Sequence, residues 1–138
     1  MEINIATVDD ANDLFEMNTL FANDASIESI QKSLAENECE TVCIAHVGGK
    51  AVGFCCGRLV KSMCYSANRV DIEAVFVKEG YRGQGIGRAL IQYLENTFSE
   101  RGIYHFHNGA YLNNLKALSL YASLGYQCHG EVVLEKTI

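Results

Sequence analysis

The residues with the most pointed chemistry lie in one run, from Val70 to Phe98, which reads VDIEAVFVKEGYRGQGIGRALIQYLENTF. An apolar strand pattern opens it, glycines at Gly80, Gly83, Gly85 and Gly87 interrupt it, and an amphipathic helix pattern closes it. A turn of that composition aims several backbone N–H groups at one spot, and the helix start adds about half a positive charge there. The chemistry this suits is the binding of a phosphorylated ligand. The run lacks the G-x-x-x-x-G-K-[ST] of a nucleoside-triphosphate loop. It also lacks the dinucleotide pattern G-x-G-x-x-G, because Arg88 or Leu90 stands where the last glycine is required. What remains is Arg82-x-x-Gly85-x-Gly87 directly after a strand.

Two further groups could act on a ligand held there. Glu73 lies inside IEAVFV, where strand alternation puts it on the face of Val75 and Val77. A carboxylate in line with apolar neighbours is either at a solvated edge or held in a site. Asn114 and Tyr121 are seven apart in a helical pattern, so they return to one face within about 20°, separated by a rise of about 10 Å. Small Ala117 lies between them, so one helix face could touch a long, thin ligand at two points. On helix grounds alone, a plain cap accounts for Asn114 equally well. A core aromatic with a satisfied hydroxyl is the ordinary reading of a single tyrosine such as Tyr121.

With these residues the chain resembles the GNAT superfamily of acetyl-CoA-dependent N-acetyltransferases. That family carries [QR]-x-x-G-x-[GA] between a strand and a helix, as Arg82, Gly85 and Gly87 do here. Its later signature, N-x-x-A-x-x-L-Y-x-x-x-G-[FY], is met at every marked position from Asn114 to Tyr126. The resemblance implies acetyl-CoA as cofactor. Its pyrophosphate would be wrapped by Arg82, Gly83, Gln84, Gly85, Ile86, Gly87 and Arg88. Its pantetheine amides would be met by the backbone of Val75, Phe76 and Val77, and Asn114, Ala117 and Tyr121 would line the rest of its path. Tyr121 and Glu73 are the implied catalytic pair, and no metal is expected. The family commonly has a strand bulge near Glu73, which would upset the alternation count.

Acid–base energetics define what that pair would do. Keeping a lysine-like amine neutral at pH 7 costs about 4.6 kcal/mol, which a glutamate of reference pKa about 4.3 cannot supply alone. Glu73 would act together with desolvation, through a water relay. A thiolate leaving group has a pKa of about 8.5, so full proton transfer from a tyrosine is uphill by about 2 kcal/mol. Tyr121 would mainly donate a hydrogen bond to the developing sulfur charge and yield its proton late. Both roles imply direct transfer with no acetyl-enzyme.

The resemblance implies an amine acceptor, with a small primary amine expected ahead of a peptide or protein amine. The family's acceptor wall would fall here at about residues 21–26, where Phe21, Asn23 and Asp24 could meet an aromatic or cationic amine. A loop turn with a cap explains the same residues. IEAVFV and SLGYQCHGEVVLEKTI resemble small aminoglycoside 6′-N-acetyltransferases, although Asn108-Gly109 stands where those often carry an acidic residue. A non-enzymatic acyl-CoA sensor is the rival from another class; it would need neither Tyr121 nor Glu73.

The remainder of the chain sets the frame. Its 138 residues suit one domain, 1–138, with a single core. The net charge of −6 disfavours nucleic-acid partners, which favour a basic patch. No apolar run of membrane-spanning length occurs, and the start lacks a basic-then-apolar signal, so a cytoplasmic protein is expected. Six cysteines lie without a C-x-x-C and read as small, partly buried thiols, with Cys55 and Cys56 on opposite faces of a strand. The histidines, His46, His105, His107 and His129, look scattered. The family's members often form homodimers.

Helix and strand signals run β-α-α-β-β-β-α-β-α-β(β), which resembles the GNAT layout over the whole chain and so implies an α/β (α+β) fold with a mixed, mostly antiparallel sheet and helices on both faces. Asp9 or Asp10 is expected to cap the first helix and Ser26 the second. Gly48-Gly49 is expected to make a tight hairpin, Ile103 to Ala110 a strand, and Tyr126 to Ile138 a strand-like tail.

Overall fold

A computed structural model describes residues 1–138. Five strands form one sheet in sequence order: β1 (Glu2–Ile5), β2 (Glu40–Val47), β3 (Lys50–Val60), β4 (Arg69–Val77) and β5 (Phe106–Asn108). The first four are antiparallel neighbours, and β5 runs parallel to β4. Helices α1 (Ala11–Leu20) and α2 (Ile27–Glu36) follow β1, α3 (Ile86–Ser99) links β4 to β5, and α4 (Leu115–Ser123) comes last.

Local chemistry explains most boundaries. Ser26 caps α2 by accepting the Ser29 N–H at 3.1 Å. Asp10 precedes α1 but reaches backward, accepting the Thr7 N–H at 2.8 Å. Gly48 and Gly49 both have positive φ, +57° and +76°, which a two-residue hairpin requires and which matches the strands' twist.

The sheet is covered on both faces. On one, α3 buries Ile86, Leu90, Ile91, Leu94 and Phe98 against Cys55, Val70 and Ile72. On the other, Leu14 and Met17 of α1 pack on Ile44, Phe54 and Phe76. A Cβ added at Gly53 in β3 would lie 2.7 Å from the Phe76 carbonyl oxygen. A backbone atom cannot rotate away, so Gly53→Ala is expected to cost about 1–3 kcal/mol of stability, read as a lower denaturant midpoint. Gly57→Ala should cost less, because its nearest neighbour is the flexible end of Leu94, at 2.8 Å.

Two expectations need correction. β5 spans only Phe106–Asn108 rather than Ile103 to Ala110. Residues 126–138 form no strand either. Val132, Val133, Leu134 and Ile138 are exposed, so the strand-like tail has no partner ladder to pair with.

Candidate active site

Three elements converge where β4 and β5 part. Their pairing ends at Ile72–Asn108, and β4 continues to Val77 with its β5-side edge uncovered. A bulge begins there: Cys56 pairs with Ala74 and Gly57 with Ile72, leaving Glu73 as the extra residue. Val70 and Ile72 therefore face α3, whereas Ala74 and Phe76 face α1. Past the bulge Val75 and Val77 return to the α3 face. Glu73 does not share their face, as plain alternation predicted; it lines a cleft on the α1–α2 side together with Ala74.

The register also decides which backbone groups are free. Lys78 N–H donates to the Val52 carbonyl at 2.8 Å. Antiparallel alternation then directs the Phe76 amide and carbonyl at β3 and those of Val75 and Val77 at the uncovered edge. Phe76 accordingly leaves the set of backbone groups available to a ligand, and its ring packs against Phe21 and Phe54 at 5.5 and 5.9 Å.

The glycine turn sits beside that edge. Gly85 has φ +82° and stands at the start of α3. The first N–H of this helix to find a backbone carbonyl is that of Ala89, which bonds Gly85 O at 3.0 Å. The N–H groups of Gly83, Gln84, Gly85, Ile86, Gly87 and Arg88 have no backbone partner, and a Cβ on Gly83 or Gly85 would meet open space. This row of unpartnered donors at a helix start fits a pyrophosphate. Arg82 is folded back, its Nε donating to Val77 O at 2.8 Å. Arg88 Nη2 donates to Ser123 Oγ at 2.5 Å, so it ties α3 to α4. A Cβ on Gly87 would rest in ordinary contact with Leu120 of α4 and with Val77 and Val75 of β4, at 3.7–3.9 Å.

On α4, Asn114 is the N-cap, accepting the Ala117 N–H at 3.2 Å. Tyr121 is half-buried against the α3-side core, its ring 5.7 Å from that of Tyr126. Burial raises the Tyr121 pKa, and the nearby Asn108 side chain partly offsets this. Tyr126 donates to Glu95 Oε1 at 2.6 Å; burial and that carboxylate raise its pKa strongly.

The cleft on the opposite face holds about 360 Å³. Asn18, Asn23, Ser29 and Ser33 give it a polar wall, Leu14, Ile30, Leu34, Val42 and Phe54 an apolar one, and Glu40 and Glu73 its charges. No lysine, arginine or histidine lines it. Of the anticipated acceptor residues, Asn23 is present and bonds Asn18 at 2.7 Å, while Phe21 is absorbed into the aromatic cluster. Glu73 pairs with Arg58 at 3.0 Å, and Ser33 donates to Glu40 at 3.0 Å. Cys56 lies between these carboxylates; burial first, then Glu40 and Glu73, hold its thiol protonated. Glu40, Arg58 and Asn108 carry no local signature, and only cross-strand register brings them here. His105, just before β5, and His107 within it are not scattered: their Nε2 atoms lie 3.0 Å apart.

Residues 8–126 match the acetyltransferase (GNAT) family. The chain belongs to that family. A spermine/spermidine N(1)-acetyltransferase of Bacillus subtilis (strain 168) is 35% identical over 68 residues, which cover 46% of this chain and 43% of that protein. The match thus spans less than half of either chain. AAC(6')-Iy, solved in complex with the bisubstrate analogue CoA-S-monomethyl-acetylneamine, superposes with TM-score 0.86 over 99% of this chain and 97% of its own, at 16% identity. A ribosomal-protein-alanine N-acetyltransferase from Brucella melitensis biovar Abortus 2308 does so with TM-score 0.84 at 18% identity, over 99% of this chain and all of its own. At those identities the two structures speak to the fold. No helix of this GNAT family member is long and apolar enough to cross a membrane.

Proposed function

We propose that this GNAT protein transfers an acetyl group from acetyl-CoA directly to a primary amine of a small cationic molecule. The observation that carries this is the meeting, at the β4–β5 fork, of the unpartnered N–H row, the uncovered β4 edge and Tyr121. Acetyl-CoA would supply the activated acetyl group. The donors of Gly83 to Arg88 would hold its pyrophosphate, with Val75 and Val77 pairing with the pantetheine amides in strand fashion. Asn114 and Ala117 would flank the path toward Tyr121.

Glu73, at the bulge and in the cleft, would take the amine's proton through a water, its carboxylate oriented by Arg58. Tyr121 would donate to the leaving sulfur. Because burial makes this phenol a weaker acid than usual, a hydrogen bond with late proton transfer is favoured over early protonation. Cys56 is the cysteine lining the cleft, and its raised pKa disfavours a thiolate nucleophile, which supports direct transfer.

An anionic cleft with an apolar wall suits an alkyl amine carrying a second positive charge, and the polyamine relative is consistent with that. Glu40 would hold the second charge. Glu40→Gln is then expected to raise KM for spermidine about tenfold, the scale of one hydrogen bond to a charged group, with little effect on propylamine.

The test of the function is thiol release from acetyl-CoA with spermidine, neamine and an alanine-terminated peptide in turn. Fastest turnover on spermidine, with intersecting two-substrate kinetics, is expected. Coenzyme A raising the melting temperature without turnover on any amine would favour the sensor instead. Stoichiometric acetylation of a cysteine would refute direct transfer.

A further inference from the structure

Asn108 ends β5 opposite Ile72, one residue before the Glu73 bulge, at the point where the two strands separate. Its neighbour two positions earlier, Phe106, packs on the α3-side core that also receives Tyr121, so strand alternation directs the Asn108 amide to the same side. Its Nδ2 is fully buried and closes no hydrogen bond. A buried amide donor left open costs stability, and such a group calls for a reason.

We propose that Asn108 is a positioning residue for the transfer, its side-chain amide donating to the Tyr121 phenol oxygen as the phenol's own hydrogen turns to the leaving sulfur. This rests on the role given to Tyr121 above. The amine nitrogen forms its bond to the acetyl carbon, the amine's surplus proton leaves through the Glu73 water, and the carbon–sulfur bond breaks. The sulfur takes the electron pair and then the Tyr121 proton, and the phenolate regains a proton from solvent. Negative charge thus passes through the phenol oxygen, and a donor aimed at that atom strengthens as charge grows there. The other ionisable groups facing the phenol are the buried Cys55 on β3 and Tyr126 past α4. Tyr126 spends its hydrogen on Glu95 of α3, and the Cys55 thiol is kept neutral by burial. Asn108 is the donor that remains.

The experiment is a double-mutant cycle on the full chain with the best amine of the panel, using Asn108→Leu, Tyr121→Phe and the double variant. Leucine keeps the branched outline, although it is bulkier, and removes the unpaired donor, so Asn108→Leu is expected to melt close to the wild type. Its kcat is expected to fall at least about tenfold with coenzyme A affinity unchanged. In the Tyr121→Phe background it should cost nothing further, because the two act as one unit. Asn108→Ser, a smaller donor, repeats the measurement if the leucine variant fails to fold, and is expected to retain part of the rate. Unchanged kcat in Asn108→Leu, or an equal loss with and without the phenol, would overturn the inference while leaving Tyr121 its role. Full activity in Tyr121→Phe would overturn both.

Discussion

Tyr121→Phe is expected to lower kcat by about 100-fold, the lower end of what general-acid catalysis contributes, while coenzyme A binds as before. The ring's contacts survive the change: it would still pack on the α3-side core and edge-on to Tyr126, 5.7 Å away. Only the hydroxyl is lost. Tyr126 cannot take over, because its hydroxyl is committed to Glu95 at 2.6 Å. The sign of the pH dependence follows from the same environment. Burial raises the Tyr121 pKa, so the protonated, donating form persists beyond the ordinary phenol value of about 10. Activity controlled by this group should fall only above that pH, and the fall should be absent in the phenylalanine variant. Steady-state kinetics across pH, with calorimetric titration of coenzyme A, check both points. A large loss of coenzyme A affinity in this variant would contradict the assignment.

Gly85→Val is expected to weaken coenzyme A binding by about 100-fold or more. Gly85 sits at φ +82°, where a β-branched residue is strained by about 1–3 kcal/mol. Its Cβ would meet no protein atom and would project into the space the N–H row of residues 83–88 leaves for an anion. Gly49→Ala is the control for backbone strain: it also has positive φ, +76°, and open space around it, but it lies in the β2–β3 hairpin. That variant should lose stability and keep its affinity. Gly87 is a poorer test of the anion site, because its Cβ would rest against Leu120, Val75 and Val77 rather than in open space.

The strand-turn-helix run was legible because each of its signals is local. The apolar strand, the glycines and the helix stripe of Leu90, Ile91, Leu94 and Phe98 lie in sequence order, and the structure uses them in that order. The Gly48-Gly49 hairpin and the Ser26 cap were readable for the same reason. Glu73 shows where locality fails. A single extra residue reverses strand parity, and nothing within IEAVFV reveals that Cys56 and Gly57 on the neighbouring strand straddle it. Phe76 looked like one of three equivalent backbone contacts until the register assigned its amide to β3. Glu40, Arg58 and Asn108 come from three other strands, so only the assembled sheet makes them neighbours of the site. The tail misled in the opposite direction: the apolar run Val132 to Leu134 signals strand propensity, but a strand also needs a partner, and these residues are exposed.

The most direct test is amide-resolved hydrogen exchange with and without coenzyme A. The account predicts new protection at Val75, Val77 and Gly83 to Arg88, whose N–H groups face the uncovered edge and the open turn. Phe76, already paired with β3, should change little. No protection along 83–88, or protection that skips Val75 and Val77 and gathers elsewhere, would contradict it.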